Sequence, residues 1–283
     1  PQLKQRIAEE QAKMNRPAFE LDETSPVAGA SLVVVDECSM VGAGVGHDLL
    51  SFGVPVLVLG DPAQLPPVAG AGFFTDCEPD TMLTDVQRQA RDNPIIDLAT
   101  RVRRGESLPL GKYGDSEVRS SIDKDDALGV DQVLVGRNRT RRSINRRMRE
   151  LRNFSNDLPQ VGDRLVCLRN DHEIGLLNGS LWTVEAVSYD EKVDVELVSS
   201  EGDHVVVDAH PEYFLGRGDE LGWWERKDAQ EFDYGYALTV HKAQGSQWPD
   251  VLLIDESRAF GTNSNRWLYT GLTRAEDRVI ISR

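Results

Sequence analysis

Cysteine is scarce: the chain has three in 283 residues, Cys38, Cys77 and Cys167, with no C-x-x-C spacing. That excludes a disulfide framework and a zinc ribbon, and it fits a reducing, cytoplasmic compartment. Long hydrophobic runs are missing as well. None approaches the roughly 20 apolar residues of a membrane-spanning helix. The amino end has no basic segment, apolar core and small-residue cleavage site of a secretory signal. There are no internal repeats and no low-complexity tracts. Basic residues are outnumbered, 32 Lys+Arg against 47 Asp+Glu, for a net charge of −15. Taken whole, that balance argues against a phosphate-backbone partner. What remains, 40% hydrophobic and 28% charged, is globular usage, long enough for one large domain or two ordinary ones.

The distribution of charge points the other way from its sum. Residues 185–233 hold 15 acids and 4 bases, a net of −11, so the rest of the chain carries only −4. Between Arg137 and Arg152 stand eight arginines and one acid, Glu150. Ile144, Met148 and Leu151 recur there at i, i+4 and i+7, the apolar stripe of an amphipathic helix. The arginines around it are either a solvated face or a phosphate-tracking surface. Arginine rather than lysine at every basic position tilts toward phosphate, with Arg141 and Arg142 as candidate contacts.

Two unbroken apolar runs, residues 32–35 and 54–59, end in carboxylates, Asp36 and Asp61. Runs without alternation predict strands covered on both faces, as in a parallel α/β sheet. Ligands of such sheets bind beyond the carboxyl ends of the strands, where those two acids sit. A charged helix is expected over residues 3–14. Another begins at Asn93-Pro94, cap then first turn, and stops near Gly105. Ile95, Leu98, Ala99 and Val102 form its apolar face. A strand over 132–135 leads into the basic helix. From about residue 158 the texture becomes short alternating strands, with an Asn178-Gly179 turn, which reads as a small antiparallel barrel inserted in the α/β fold. Strands near 236–239, 251–254 and 279–281 resume the first texture.

Four segments carry chemistry. The strand ending in Asp36-Glu37 offers one acid for Mg²⁺ and one to orient or deprotonate water; the bland alternative is a strand with two exposed acids. In Gly60-Asp61-Pro62-Ala63-Gln64-Leu65-Pro66-Pro67-Val68, the Gln64 amide can donate to a phosphate and accept from water; alternatively this is a proline-rich turn. Thr239-Val240-His241-Lys242-Ala243-Gln244-Gly245-Ser246 follows a strand and offers hydroxyls, an imidazole, an ammonium and backbone N–H groups, a setting that favours anions. Tyr269-Thr270-Gly271-Leu272-Thr273-Arg274-Ala275 lies on an expected helix, where Arg274 is placed as an arginine finger. Phe73, Phe74, Trp223 and Trp224 are candidate base-stacking aromatics, for which a place in the core is the simpler expectation.

In this order, Asp36-Glu37-Cys38-Ser39-Met40, the Gly60 segment, Val86-Gln87-Arg88-Gln89, the Thr239 segment and the Tyr269 segment resemble motifs II, III, IV, V and VI of superfamily 1 helicases. The likeness is to the RecD-like and Dda-like, 5′→3′ branch. The stretch from Val161-Gly162-Asp163-Arg164 to Asn178-Gly179 resembles that branch's SH3-like insert. The resemblance implies two RecA-like lobes: a truncated first lobe over 1–80, a second over 81–157 and 231–283, and the insert over 158–230. It implies ATP and Mg²⁺ as cofactors. Asp36 would hold the metal, Glu37 would be the base, Gln64 the γ-phosphate sensor, and Arg88 and Arg274 phosphate contacts. Asp61, Gln244 and Gly245 would line the nucleotide, with Gln244 linking it to the DNA. Thr239, His241 and Lys242 would face the DNA. The implied partners are single-stranded DNA, duplex junctions and replication or recombination proteins.

The family's phosphate loop, G-x-x-x-x-G-K-[ST], is absent from these 283 residues; Gly111-Lys112-Tyr113 lacks the glycine spacing and the Ser/Thr hydroxyl residue. The expectation is therefore a carboxyl-terminal part of a longer helicase, inactive alone. The alternatives are a non-catalytic module that holds single strands or a partner protein, and, resting on texture alone, a peptide-binding barrel.

Overall fold

The computed structural model describes residues 21–67, 70–75, 77–83, 93–222 and 224–283. The expected helix over 3–14, Trp223 and the Val86–Gln89 motif with Arg88 lie outside them. In chain order the elements are β1 (Val33–Val35), α1 (Ala43–Ser51), β2 (Val56–Val58), α2 (Pro94–Arg103), β3 (Gly111–Tyr113), β4 (Ser116–Arg119), α3 (Lys124–Leu128), β5 (Gln132–Val135) and α4 (Asn138–Leu151). Then follow β6 (Arg164–Cys167), β7 (Leu181–Tyr189), β8 (Val193–Ser199), β9 (His204–Ala209), α5 (Pro211–Phe214) and β10 (Phe232–Tyr234). The chain closes with β11 (Ala237–Thr239), β12 (Trp248–Ile254), α6 (Ser264–Leu272) and β13 (Ala275–Ser282). Two compact units result among the described residues: Glu23–Met148 with Tyr236–Arg283, and Arg149–Gly235.

In the first unit six strands order as β11-β5-β12-β13-β4-β3. All pair in parallel except the edge hairpin β3–β4. Gly111-Lys112-Tyr113 is thus an edge strand, with no role as a phosphate loop. Val133, Val135, Ala237, Leu252 and Ile280 form a core cluster against which Ile144 of α4 and Ala127 of α3 pack. α2 is capped as expected: the Asn93 side chain accepts from Ile95 N–H at 2.9 Å. Its predicted face, Ile95, Leu98, Ala99 and Val102, is buried. A Cβ added to Gly271 of α6 would stand 2.8 Å from Leu253 of β12, so the helix seats against the sheet only because that residue is glycine.

β1 and β2 form a separate two-stranded parallel sheet. Here the expectation of cover on both faces fails: Val34 and Leu57, register partners, are 54% and 47% exposed. Two three-residue strands leave one face of their pleat without a covering layer among the described residues. An apolar run reports strand propensity, and burial depends on what packs above it.

In the second unit, five antiparallel strands order as β10-β6-β7-β8-β9. A bridge between Ala209 at the end of β9 and Gln230, just before β10, brings the two ends of that order together. Leu165, Trp182, Val184, Val195, Leu197, Val207 and Phe232 point inward. The period-2 alternation that was legible as strands is this inside–outside pattern. At its base Arg149 is buried, 6% exposed, against the fully buried Asp163. The guanidinium is bidentate, with Nε at 3.0 Å from Oδ1 and Nη2 at 3.0 Å from Oδ2. It also donates to the carbonyls of Asn156 and Leu158 at 2.6 and 2.8 Å, and lies over the Tyr234 ring at 4.2 Å. The basic run is therefore not one surface. Its seventh arginine is a structural pillar, selected for planar bidentate pairing and stacking.

Candidate functional site

β1 delivers Asp36 and Glu37 at its carboxyl end, and the turn there is strained. Glu37 has φ 49° and ψ 46°, a left-handed conformation that costs a non-glycine residue about 1–2 kcal/mol. It is held by two contacts: Glu37 N–H donates to Asp36 Oδ1 at 2.8 Å, and Cys38 N–H to the Leu59 carbonyl at 3.1 Å. The loop after β2 approaches the same turn. A Cβ on Gly60 would stand 2.5 Å from Cys38 Sγ and 3.0 Å from its backbone nitrogen, so glycine there permits the two strand tips to touch. Burial, with the charges of Glu37 and Asp36, raises the Cys38 thiol above its ordinary pKa.

Asp61 shapes the loop: its Oδ1 accepts from Ala63 N–H at 2.9 Å and its carbonyl from Gln64 N–H at 3.1 Å. This is an Asx-type turn. It presents Gln64, only 8% exposed, with an Oε1 that finds no hydrogen-bond partner among the described residues. An unpaired buried acceptor costs on the order of 1–3 kcal/mol, which an incoming donor would recover.

Three hydrogen bonds fasten this loop to the rest of the unit. Leu65 N–H donates to Thr270 Oγ1 at 2.9 Å, Gln244 Nε2 donates to the Leu65 carbonyl at 3.1 Å, and the Tyr269 hydroxyl donates to Asp61 Oδ2 at 2.5 Å. Burial and the neighbouring Asp61 carboxylate keep the Tyr269 phenol protonated well above the usual tyrosine range. Gln244 keeps a second orphan, its own Oε1.

Arg274 completes the site from the end of α6. It is 4% exposed, so a surface-charge role is excluded. Its guanidinium donates to the Thr270 carbonyl at 3.1 Å, the Ser246 carbonyl at 3.2 Å and Thr273 Oγ1 at 3.1 Å, all neutral acceptors. Among the described residues no carboxylate forms an ion pair with it. Burial lowers its pKa from the ordinary arginine value, while Glu37, Tyr269 and Asp61 pull the other way through space. It is a buried cation within the field of two acids and bonded to neither, so its charge is offset by neutral acceptors alone among the described residues. The donors fit the nucleotide and metal expected from sequence: Asp36 and Glu37 offer hard carboxylate oxygens of the kind Mg²⁺ takes, and Arg274 lacks the anion a phosphate would provide.

The structure thus gathers Glu37, Asp61, Gln64, Gln244 and Arg274. Tyr269 and Thr270 went unassigned in the sequence, though the signal was available: two hydroxyls in the last turn of a helix, four and five residues before an arginine. On the neighbouring strand tips, Thr239 Oγ1 accepts from Lys242 N–H at 3.3 Å. His241 is half-buried with its pKa lowered by that burial, its ring 5.5 Å from Phe260. Gly245 is exposed at φ 79°. Since β11 pairs with β5, Thr239 opposite Val135, this segment adjoins the start of α4. There Glu256 accepts from Gly136 N–H, Arg137 N–H and the Thr140 hydroxyl at 2.8, 2.9 and 2.7 Å, a cap the sequence did not announce. Arg142 is exposed, and Arg141 is half-buried with its Nε on Asn138 Oδ1 at 3.2 Å. Among the stacking candidates, Phe73 packs edge-on to His47 and Phe74. Trp224, expected in the core, is 75% exposed beside Lys227; it stands at the start of a short 3-10 turn, Glu225–Lys227, with no buried residue.

Comparison with known proteins agrees with this architecture. The family model for the UvrD-like helicase C-terminal domain matches residues 234–282, and that for an AAA domain matches residues 3–122. The chain is 32% identical over 274 residues to the ATP-dependent RecD2 DNA helicase of Deinococcus radiodurans. That match takes in 87% of this chain but spans only 35% of the relative's length. Among solved structures the fold is similar to the Pif1 helicase from Bacteroides in complex with ADP-AlF3 and ssDNA, with TM-score 0.61 and 16% identity over 95% of this chain and 75% of that one. It is also similar to the Pif1 helicase from Candida albicans, with TM-score 0.56 and 17% identity over 91% and 73% of the two chains. No helix among the described residues is long and apolar enough to cross a membrane.

Proposed function

Since the chain is a homologue of the RecD-like superfamily 1 helicases, we propose that it forms part of an ATP-driven motor that moves along single-stranded DNA, 5′→3′, and parts duplexes. The observation that carries this reading is the convergence of Glu37, Asp61, Gln64 and a buried, unpaired Arg274 in one unit. ATP with Mg²⁺ supplies the phosphoryl group whose loss drives the cycle. Asp36 would hold the metal with its carboxylate. Glu37 orients and deprotonates the attacking water. Gln64 senses the γ-phosphate with an amide whose acceptor is otherwise unpaired. Arg274 neutralises charge on the phosphates, with Arg88 as the second arginine. Because Leu65, Asp61 and Gln244 bond to one another's elements, a change felt at Gln64 is passed to α6 and to the Thr239–Lys242 segment, which faces the strand.

DNA is held by its backbone, which lets a motor ignore sequence. Arg141→Glu together with Arg142→Glu is expected to weaken binding of an oligo-dT strand. It should also flatten the dependence of log K on log salt by about 1.4, the loss of two phosphate contacts on a single strand. Fluorescence anisotropy across a salt series measures both; an unchanged slope would take α4 off the DNA path.

A second reading is a strand-holding or partner-binding module without catalysis. The two part on ATP hydrolysis. These 283 residues alone are expected to show no DNA-stimulated ATPase above background, and joining them to a glycine-lysine phosphate loop should create it under the motor reading and leave it absent under the other.

A further inference from the structure

The acidic stretch of the second unit is the charge feature that DNA binding leaves unused, and its outer face gathers three metal-ligating side chains. In β7 the register shifts between Val184, opposite Leu197, and Ala186, opposite Glu196. Glu185 is therefore the extra residue of a bulge, and a bulge re-aims side chains. Val184 stays inside, while Glu185 and Ala186 both face out, opposite Glu196. On the next pair, Glu196 stands opposite Val206 and Val198 opposite His204, which sets His204 diagonally beside Glu196 on that same face. His204 Nδ1 lies 3.1 Å from Glu185 Oε2. One ligand atom from each of Glu185, Glu196 and His204 falls within 4.8 Å of the other two. Two acids facing each other across a strand pair repel, and a stretch of net −11 concentrates cations around them.

We propose that Glu185, Glu196 and His204 bind a divalent first-row transition ion, with Zn²⁺ the best match. Two carboxylate oxygens and one imidazole nitrogen, with the remaining position open to water, form a three-ligand zinc set. Mg²⁺, which takes oxygen, has no use for the imidazole. The three residues come from three adjacent strands, so a bound ion ties β7, β8 and β9 together and stabilises the folded state by mass action. This site is independent of the helicase reading and stands or falls without it.

The test uses the full 283-residue chain and the metal alone. Isothermal titration with Zn²⁺ near neutral pH is expected to show one ion per chain, with His204→Ala and Glu196→Gln each weakening it at least about tenfold. All three positions are exposed, so the variants should fold, and circular dichroism confirms it. Co²⁺ in place of Zn²⁺ should give visible ligand-field bands without a thiolate charge-transfer band. Equal Zn²⁺ affinity in His204→Ala and the parent chain would overturn the proposal. So would a thiolate band, which would put the ion on Cys77 or another cysteine.

Discussion

Arg274→Met is expected to leave the chain at least as resistant to unfolding as the parent while abolishing the motor's chemistry. The two halves come from one observation. Arg274 is almost wholly buried, its guanidinium bonded among the described residues to two carbonyls and a hydroxyl, and its pKa is lowered by burial. A buried charge without an ionic partner opposes folding, and an apolar side chain of similar length in its place is often neutral or stabilising. Methionine fills the slot without the charge. The urea midpoint of the 283-residue chain should therefore stay or rise. The same substitution in a protein that also carries a phosphate loop should lower kcat for DNA-stimulated ATP hydrolysis by ~10³–10⁵, the range for an arginine finger. Loss of folding together with retained hydrolysis would reverse that assignment.

The opposite result is expected at the other buried arginine. Asp163→Asn or Arg149→Met each leaves one charge buried without its partner, a loss of about 3–5 kcal/mol. That is about a fifth or more of a typical domain's total stability of about 5–15 kcal/mol. The pair is well satisfied: Asp163 also accepts from Gln160 N–H at 2.8 Å, and Arg149 stacks on Tyr234. Single substitutions should hurt more than removal of both groups together, and a double-mutant cycle on urea midpoints measures the difference. Single losses under about 1 kcal/mol would show that the pair is dispensable. Two arginines of one chain, both hidden, are thus told apart by whether an acid lies in contact.

Local rules were readable along the chain. The Asn93 cap, the buried face of α2 and the alternation of β7 to β9 each depend on residues within a turn or two of one another, so spacing alone displays them. The strand tips at Asp36 and Asp61 were legible for the same reason, since a carboxylate after an apolar run needs no partner to be noticed. The bulge at Glu185 was not, because a bulge is defined by the strand opposite. Nor was the exposed face of β1 and β2, which reads as core until one asks what covers it.

By itself the sequence determined which segments become strands and helices, where the turns fall, and which motifs stand in which order. Those follow from propensity, capping and period, all short-range. Only the tertiary structure decided which charges are compensated. It took Arg149 out of the basic surface by seating it on Asp163, brought Tyr269 and Thr270 onto the loop of Asp61 and Leu65 from some 200 positions away, and left Arg274 without an acid in contact among the described residues. Electrostatic worth depends on distance and on the water excluded between charges, and neither quantity is written in the order of the residues.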